Sequence, residues 1–147
     1  MSLQARIQED MKAAMRSGDK ERLGTIRLIM AAVKQREVDE RITLDDTQVL
    51  GVLEKMGKQR RESMAQFQAG GRADLVAKEA AELAIISAYM PAALSDAELD
   101  SLILEAIAAT GATSIKDMGK VMGLIKTRAQ GRADMAAVGA RIKARLA

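Results

Sequence analysis

The chain has 147 residues, 48% of them apolar, with only Phe67 and Tyr89 aromatic and no cysteine or histidine. That length can bury an aliphatic core without disulfides or metals, while the missing thiol and imidazole exclude Cys- or His-based nucleophilic sites and Cys/His zinc sites. The net charge of +3 is uneven: residues 1–111 hold 15 Lys/Arg against 18 Asp/Glu, and residues 112–147 hold 8 against 2.

A mildly acidic body thus carries a basic tail, which suits an anionic partner; the plainer reading is a solvated helix surface. Helical periodicity runs almost throughout. A first helix is expected over residues 3–16, with Leu3, Ile7, Met11, Ala14 and Met15 on one side and Gly18 closing it. A second starts near Asp19 and runs to about Val38, burying Leu23, Ile26, Met30 and Val33; residues 39–43 read as a link. The third opens on a capping box of Thr43 and Asp46 and runs to about Ala69, before Gly70 and Gly71. Within it, KQRRES at Lys58–Ser63 reads as a solvated face.

A fourth helix spans about residues 72–88. Its Glu79 and Glu82 share a face, but two carboxylates without histidine partners make a poor metal site. No metal or cofactor is expected. Tyr89 reads as a core or hinge anchor. Pro91, the only proline, lacks the N–H that a continuing helix needs. The domain boundary is placed there: residues 1–91 form an N-terminal multihelical region and residues 92–147 a small C-terminal helical domain.

The fifth helix begins at Ser95, with Glu98 completing a capping box, buries Leu99, Leu102, Ile103 and Ile107, and ends at Gly111. A sixth runs from Ser114 to about Ala129, and a seventh from about Ala133 to Arg145, with Met135, Val138, Ile142 and Leu146 inward. GRAD occurs at Gly71–Asp74 and Gly131–Asp134, each copy read as a glycine stop followed by an acid in the next helix's first turn. No segment alternates like a strand, so the fold class is all-α. No apolar run reaches about 18 residues, so no membrane span is expected. Arg6, Glu9, Asp10 and Lys12 interrupt any signal core, and a cytoplasmic location is expected.

The sixth helix is the unusual one. At about 100° per residue, Ile115, Met118, Val121, Met122 and Ile125 gather on one side. Lys116, Gly119, Lys120, Gly123, Lys126 and Thr127 gather on the other. Each glycine inside a helix costs about 0.8–1.0 kcal/mol relative to alanine, which asks for a reason. Glycine bares the backbone to close approach, and the flanking lysines favour an anionic visitor such as a phosphate chain. Arg128, Arg132, Arg141, Lys143 and Arg145 extend the same surface. The i,i+4 spacing of Gly119 and Gly123 equally permits tight helix–helix packing, and spacing alone leaves both readings open. The tail has no aromatics for base stacking, so RNA held here is recognised by shape and backbone.

In order and spacing the chain resembles the GatB/YqeY family along nearly its whole length. The matching segments are RLGTIRLIMAAVKQRE at Arg22–Glu37, KQRRESMAQFQAGGRADL at Lys58–Leu75 and YMPAALSDAEL at Tyr89–Leu99. In the tail they are GATSIKDMGKVMG at Gly111–Gly123 and GRAD at Gly131–Asp134. The resemblance implies an N-terminal helical region and a compact tail domain similar to that of the aspartyl/glutamyl-tRNA amidotransferase B subunit, where the tail helps hold misacylated tRNA. It places Lys116, Gly119, Lys120 and Gly123 in the shared tail motif. The family carries the label of a carbon–nitrogen ligase with glutamine as amido-N-donor. This chain, however, has no Walker-type loop, no Cys nucleophile and no Gly/Ser-rich amidase setting. It resembles the tail without the catalytic parts, and no catalytic residue is assigned. The resulting expectation is an accessory protein that binds tRNA or an aminoacyl-tRNA complex. One alternative is a helical protein–protein interaction module whose N-terminal helices hold a protein partner. Another is an amidotransferase component active only with other subunits.

Overall fold

The computed structural model describes residues 1–129 and 131–147. Among them are seven α-helices, one 3-10 turn and no strand, so the fold is all-α. The chain divides into two compact units, Met1–Met90 and Pro91–Ala147.

The first unit holds α1 (Leu3–Ser17), α2 (Lys20–Glu40), α3 (Asp46–Ala69) and α4 (Ala73–Ser87). Its core is aliphatic: Ile7 from α1, Ile26, Ile29 and Val33 from α2, Val49, Leu53 and Met56 from α3, and Ile86 from α4, closed by Tyr89. The apolar residues recur every three or four positions, so each helix turns one stripe inward. On α2 the buried set is Thr25, Ile26, Ile29 and Val33, while the expected Leu23 and Met30 are only half-buried. Met15 of α1 lies exposed rather than inward.

Helix boundaries are set by local hydrogen bonding. α2 runs two residues beyond the expected Val38, because Gln35 donates to Asp39 and Arg36 pairs with Glu40 across that last turn. The expected Thr43–Asp46 capping box is replaced by one between Asp45 and Gln48. Gln48 N donates to Asp45 Oδ1 at 2.8 Å, and Asp45 N donates to Gln48 Oε1 at 2.9 Å. Asp46 instead accepts from Leu3 N at 2.9 Å, which ties α1 to the start of α3. Glycine also packs helices here: a Cβ at Gly57 of α3 would sit 3.6 Å from Leu83 Cδ1 of α4.

The second unit holds α5 (Asp96–Thr110), the 3-10 turn Ile115–Asp117, α6 (Met118–Ala129) and α7 (Met135–Leu146). Leu99 and Ile103 of α5, Val121 and Ile125 of α6, and Val138 and Ile142 of α7 form its core. The expected Ser95–Glu98 capping box opens α5. The sixth segment enters α6 through the 3-10 turn rather than as α-helix from Ser114.

The two GRAD copies share a backbone device but differ in the role of their acid. Gly71 and Gly131 both have positive φ, 70° and 76°, which glycine adopts without a Cβ clash. After Gly71, Asp74 lies in the first turn of α4 and pairs with Arg72 at 3.0 Å. After Gly131, Asp134 is itself the N-cap of α7 and accepts from Ala136 N at 3.0 Å. The seventh helix therefore starts at Met135, later than the expected Ala133, because its cap residue stands outside the helix.

Candidate nucleic-acid interface

The entrance to α6 is built by one carboxylate. Asp117 accepts from Thr113 N at 3.0 Å and Ser114 N at 3.4 Å, which turns the chain into the helix. These amides, first that of Thr113, and the nearby Lys120 charge hold the Asp117 carboxyl below its ordinary range against a smaller desolvation effect. From there Val121, Ile125 and Ala129 point into the core. That orientation leaves Lys116, Gly119, Lys120, Gly123, Lys126 and Thr127 exposed.

Gly119 and Gly123 face open space: a Cβ on either would meet no heavy atom within 4 Å beyond its own helix turn. Of the two readings that spacing left open, helix–helix packing does not describe these positions. A glycine that does pack in this unit is Gly139 of α7, where a Cβ would lie 3.5 Å from Met118 Cε.

The arginines sit differently from the lysines. Arg128 of α6 pairs with Glu105 of α5 at 3.3 Å. Arg132, between α6 and α7, reaches Glu98 at 3.9 Å and donates from Nε to Ala92 O at 3.1 Å. Arg141 of α7 grips two acids, Asp96 at 2.6 Å and Asp100 at 3.1 Å. The Asp96 hydrogen bond, then the charges of both acids, raise the Arg141 guanidinium above its ordinary value. Arg145 stands 3.9 Å from Asp100. All four tail arginines thus face carboxylates of α5. Among the described residues, Lys116, Lys120, Lys126 and Lys143 have no carboxylate at ion-pair distance, and all four are exposed.

Sequence reasoning placed lysines and arginines on one surface and missed the acids of α5. The available signal was charge by segment, since Asp96, Glu98, Asp100 and Glu105 lie within ten residues of each other just ahead of the basic stretch. Of the expected solvated face at Lys58–Ser63, Lys58, Gln59, Arg61 and Glu62 are exposed. Arg60 instead turns toward α4, 2.8 Å from Glu82 and 3.5 Å from Glu79, with all three side chains no more than 20% exposed. The Glu79/Glu82 pair therefore surrounds a guanidinium. Among the described residues, no helix is long and apolar enough to cross a membrane.

A family model described as Yqey-like protein matches residues 4–146. The chain is 40% identical over 103 residues to the "Altered inheritance of mitochondria protein 41, mitochondrial" of Eremothecium gossypii, covering 69% of this chain and 56% of that one. The protein of the same name from Pyrenophora tritici-repentis is 33% identical over 130 residues, covering 84% of this chain and 71% of that one. The Kluyveromyces lactis protein is 35% identical over 104 residues, covering 69% and 56%. The chain thus spans little more than half the length of the Eremothecium and Kluyveromyces relatives. Each of these relatives is named as mitochondrial, which overturns the expectation of a cytoplasmic location.

Proposed function

Since the chain belongs to the YqeY-like family, whose model spans residues 4–146, we propose that it is an accessory protein that binds tRNA through its C-terminal unit. The observation that carries this reading is the outer face of α6, where two glycines with open space above them alternate with exposed lysines. Each glycine costs the helix about 0.8–1.0 kcal/mol relative to alanine, and no packed neighbour accounts for it. A bare backbone flanked by ammonium groups admits a phosphate chain closely and holds it without reading sequence. The proposed contact set is Lys116, Gly119, Lys120, Gly123 and Lys126; Arg128, Arg132, Arg141 and Arg145 lie on the same unit but are already paired with acids of α5. With no cysteine and no histidine in the chain, the role proposed is that of a holder related to the tRNA amidotransferase tail. The amidation chemistry would belong to other subunits.

The test is titration of unfractionated tRNA with the full chain and its Lys116→Gln/Lys120→Gln variant across a salt series. Each lost phosphate contact lowers the slope of log K against log salt by about 0.7–0.9. The double variant is expected to bind more weakly at low salt and to lose a slope of about 1.5. Equal affinity and slope in the two proteins would count against the reading.

A second reading, a helical module that binds a protein partner, is favoured by a separate observation on the first unit. A groove of about 560 Å³ runs between α2 and α3, floored by Ala32, Val52 and Met56 and rimmed by Arg36, Glu40 and Lys55. A partner that co-purifies after nuclease treatment, from a chain that fails to bind tRNA, would favour it over the first.

A further inference from the structure

We infer that the four tail arginines clasp α5 to the rest of the second unit, and that the lysines alone meet the phosphate chain. The inference rests on the reading above, since it divides the cations of the same surface between two tasks. Its ground is the pairing pattern. Arg128, Arg132, Arg141 and Arg145 reach Glu105, Glu98, Asp96 and Asp100 at distances from 2.6 to 3.9 Å. Every acid of α5 is used, and every arginine of the tail.

The chemistry of the two cations fits the division. A guanidinium is planar with several donors and can hold two carboxylates at once, as Arg141 does with Asp96 and Asp100. A lysine is a compact, hydrated charge on a flexible stem, suited to tracking a phosphate chain whose position is not fixed. A phosphate approaching Arg141 also meets the negative charges of Asp96 and Asp100, whereas Asp117, the carboxylate whose charge Lys120 feels, already accepts from two backbone amides. The acids of α5 therefore mark one edge of the anion-binding surface. Arg132 has a further holding role: its Nε donates to Ala92 O, and its own carbonyl accepts from Leu94 N at 2.7 Å, fastening the segment that leads into α5.

The experiment uses the full chain and two variants, Arg128→Gln/Arg141→Gln and Lys116→Gln/Lys120→Gln/Lys126→Gln, with two readouts. Amide hydrogen exchange resolved to residues 96–110 is expected to quicken about two- to fivefold in the arginine variant, as befits exposed ion pairs, and to stay unchanged in the lysine variant. The salt slope for unfractionated tRNA is expected to fall by about 2.4 in the lysine variant and to stay at the wild-type value in the arginine variant. The clasp is overturned if α5 exchanges at the wild-type rate in the arginine variant, or if that variant loses as much salt slope as the lysine one. If the wild-type chain binds no tRNA, the proposed function fails by itself, and exchange in α5 alone decides the clasp. The conservative Arg141→Lys variant keeps the charge but not the two-acid grip, and is expected to show the faster exchange with the slope intact.

Discussion

Tyr89 donates its phenolic hydroxyl to Asp10 Oδ2 at 2.6 Å, tying the end of the first unit back to α1 across 79 positions of sequence. The ring is buried, and the Arg6 guanidinium lies 5.2 Å above its centre, so one face meets a cation while the hydroxyl meets an anion. Burial, then the hydrogen bond to Asp10 and the charge of that carboxylate, push the phenol well above its ordinary range. A folded-state pKa above the unfolded one gives stability that is whole below about pH 10 and is lost as pH rises beyond it, because the unfolded chain ionises first. Tyr89→Phe is expected to lower stability by about 1 kcal/mol at neutral pH. It is also expected to remove part of the alkaline decline, so wild type and variant should converge in urea titrations above pH 10.

Arg60 provides a second test in the same unit. Its guanidinium stands between Glu82 and Glu79, all of them mostly withdrawn from solvent, and Glu79 Oε2 has no hydrogen-bond partner among the described residues. Arg60→Met keeps much of the stem volume but leaves two carboxylates without their cation. The expected loss is about 2 kcal/mol, below the range for fully buried pairs because these groups keep some contact with water. Adding Glu79→Gln and Glu82→Gln should recover part of it, since the variant no longer holds like charges together. Additive losses in the combined variant would show that the three side chains do not act as a unit.

Legibility in the sequence depended on the range of each interaction. The Ser95–Glu98 cap spans three residues and could be read directly. The cap of α3 is equally local, but Thr43 and Asp45 both have capping side chains, and the choice turned on Asp46 being drawn to Leu3 N, 43 positions away. The wheel put Gly119 and Gly123 opposite Val121 and Ile125, but packing against a neighbouring helix stayed open until the structure showed empty space above both. Charge by segment pointed to the acids of α5, but which arginine meets which acid was not legible: Arg128 meets Glu105 across 23 positions and Arg141 meets Asp96 across 45. Periodicity says which face of a helix turns inward and nothing about which helix lies beside it.

Glu37 should set part of the acid limit of the first unit. Its Oε2 accepts from Leu44 N at 2.9 Å and from Gln4 Nε2 at 3.1 Å, joining the α2–α3 link to α1. The Leu44 amide first, then Gln4 and the Lys34 charge, hold this carboxyl below its ordinary value of 4.5 against a smaller desolvation effect. A depressed carboxylate gives stability that is whole above the unfolded pKa and is lost as pH falls through the lowered folded one. Glu37→Gln should therefore be less stable than wild type at neutral pH, with the gap closing as pH falls below about 4.5. Chemical denaturation at a series of pH values between neutral and acid measures it. A gap that stays constant with pH would show that the carboxylate charge is not what holds the link.

Stability and binding should move in opposite directions at Gly119 and Gly123. A Cβ at either position meets nothing within 4 Å, so alanine fits there without strain. Each of Gly119→Ala and Gly123→Ala is expected to stabilise the second unit by about 0.8–1.0 kcal/mol through helix propensity alone. If a phosphate chain comes close to the bare backbone, the added methyl groups stand in its path, and the double variant should bind tRNA several-fold more weakly although it is the more stable protein. Because both variants keep every charge, the salt slope should stay near the wild-type value while the affinity falls, which separates this effect from loss of the lysines. Gly139→Ala serves as the control: it changes a glycine of the same unit, buried beside Met118 Cε, and should alter stability without touching affinity. Full affinity in the Gly119→Ala/Gly123→Ala variant would mean that no backbone approaches this helix, and the two glycines would again need another explanation.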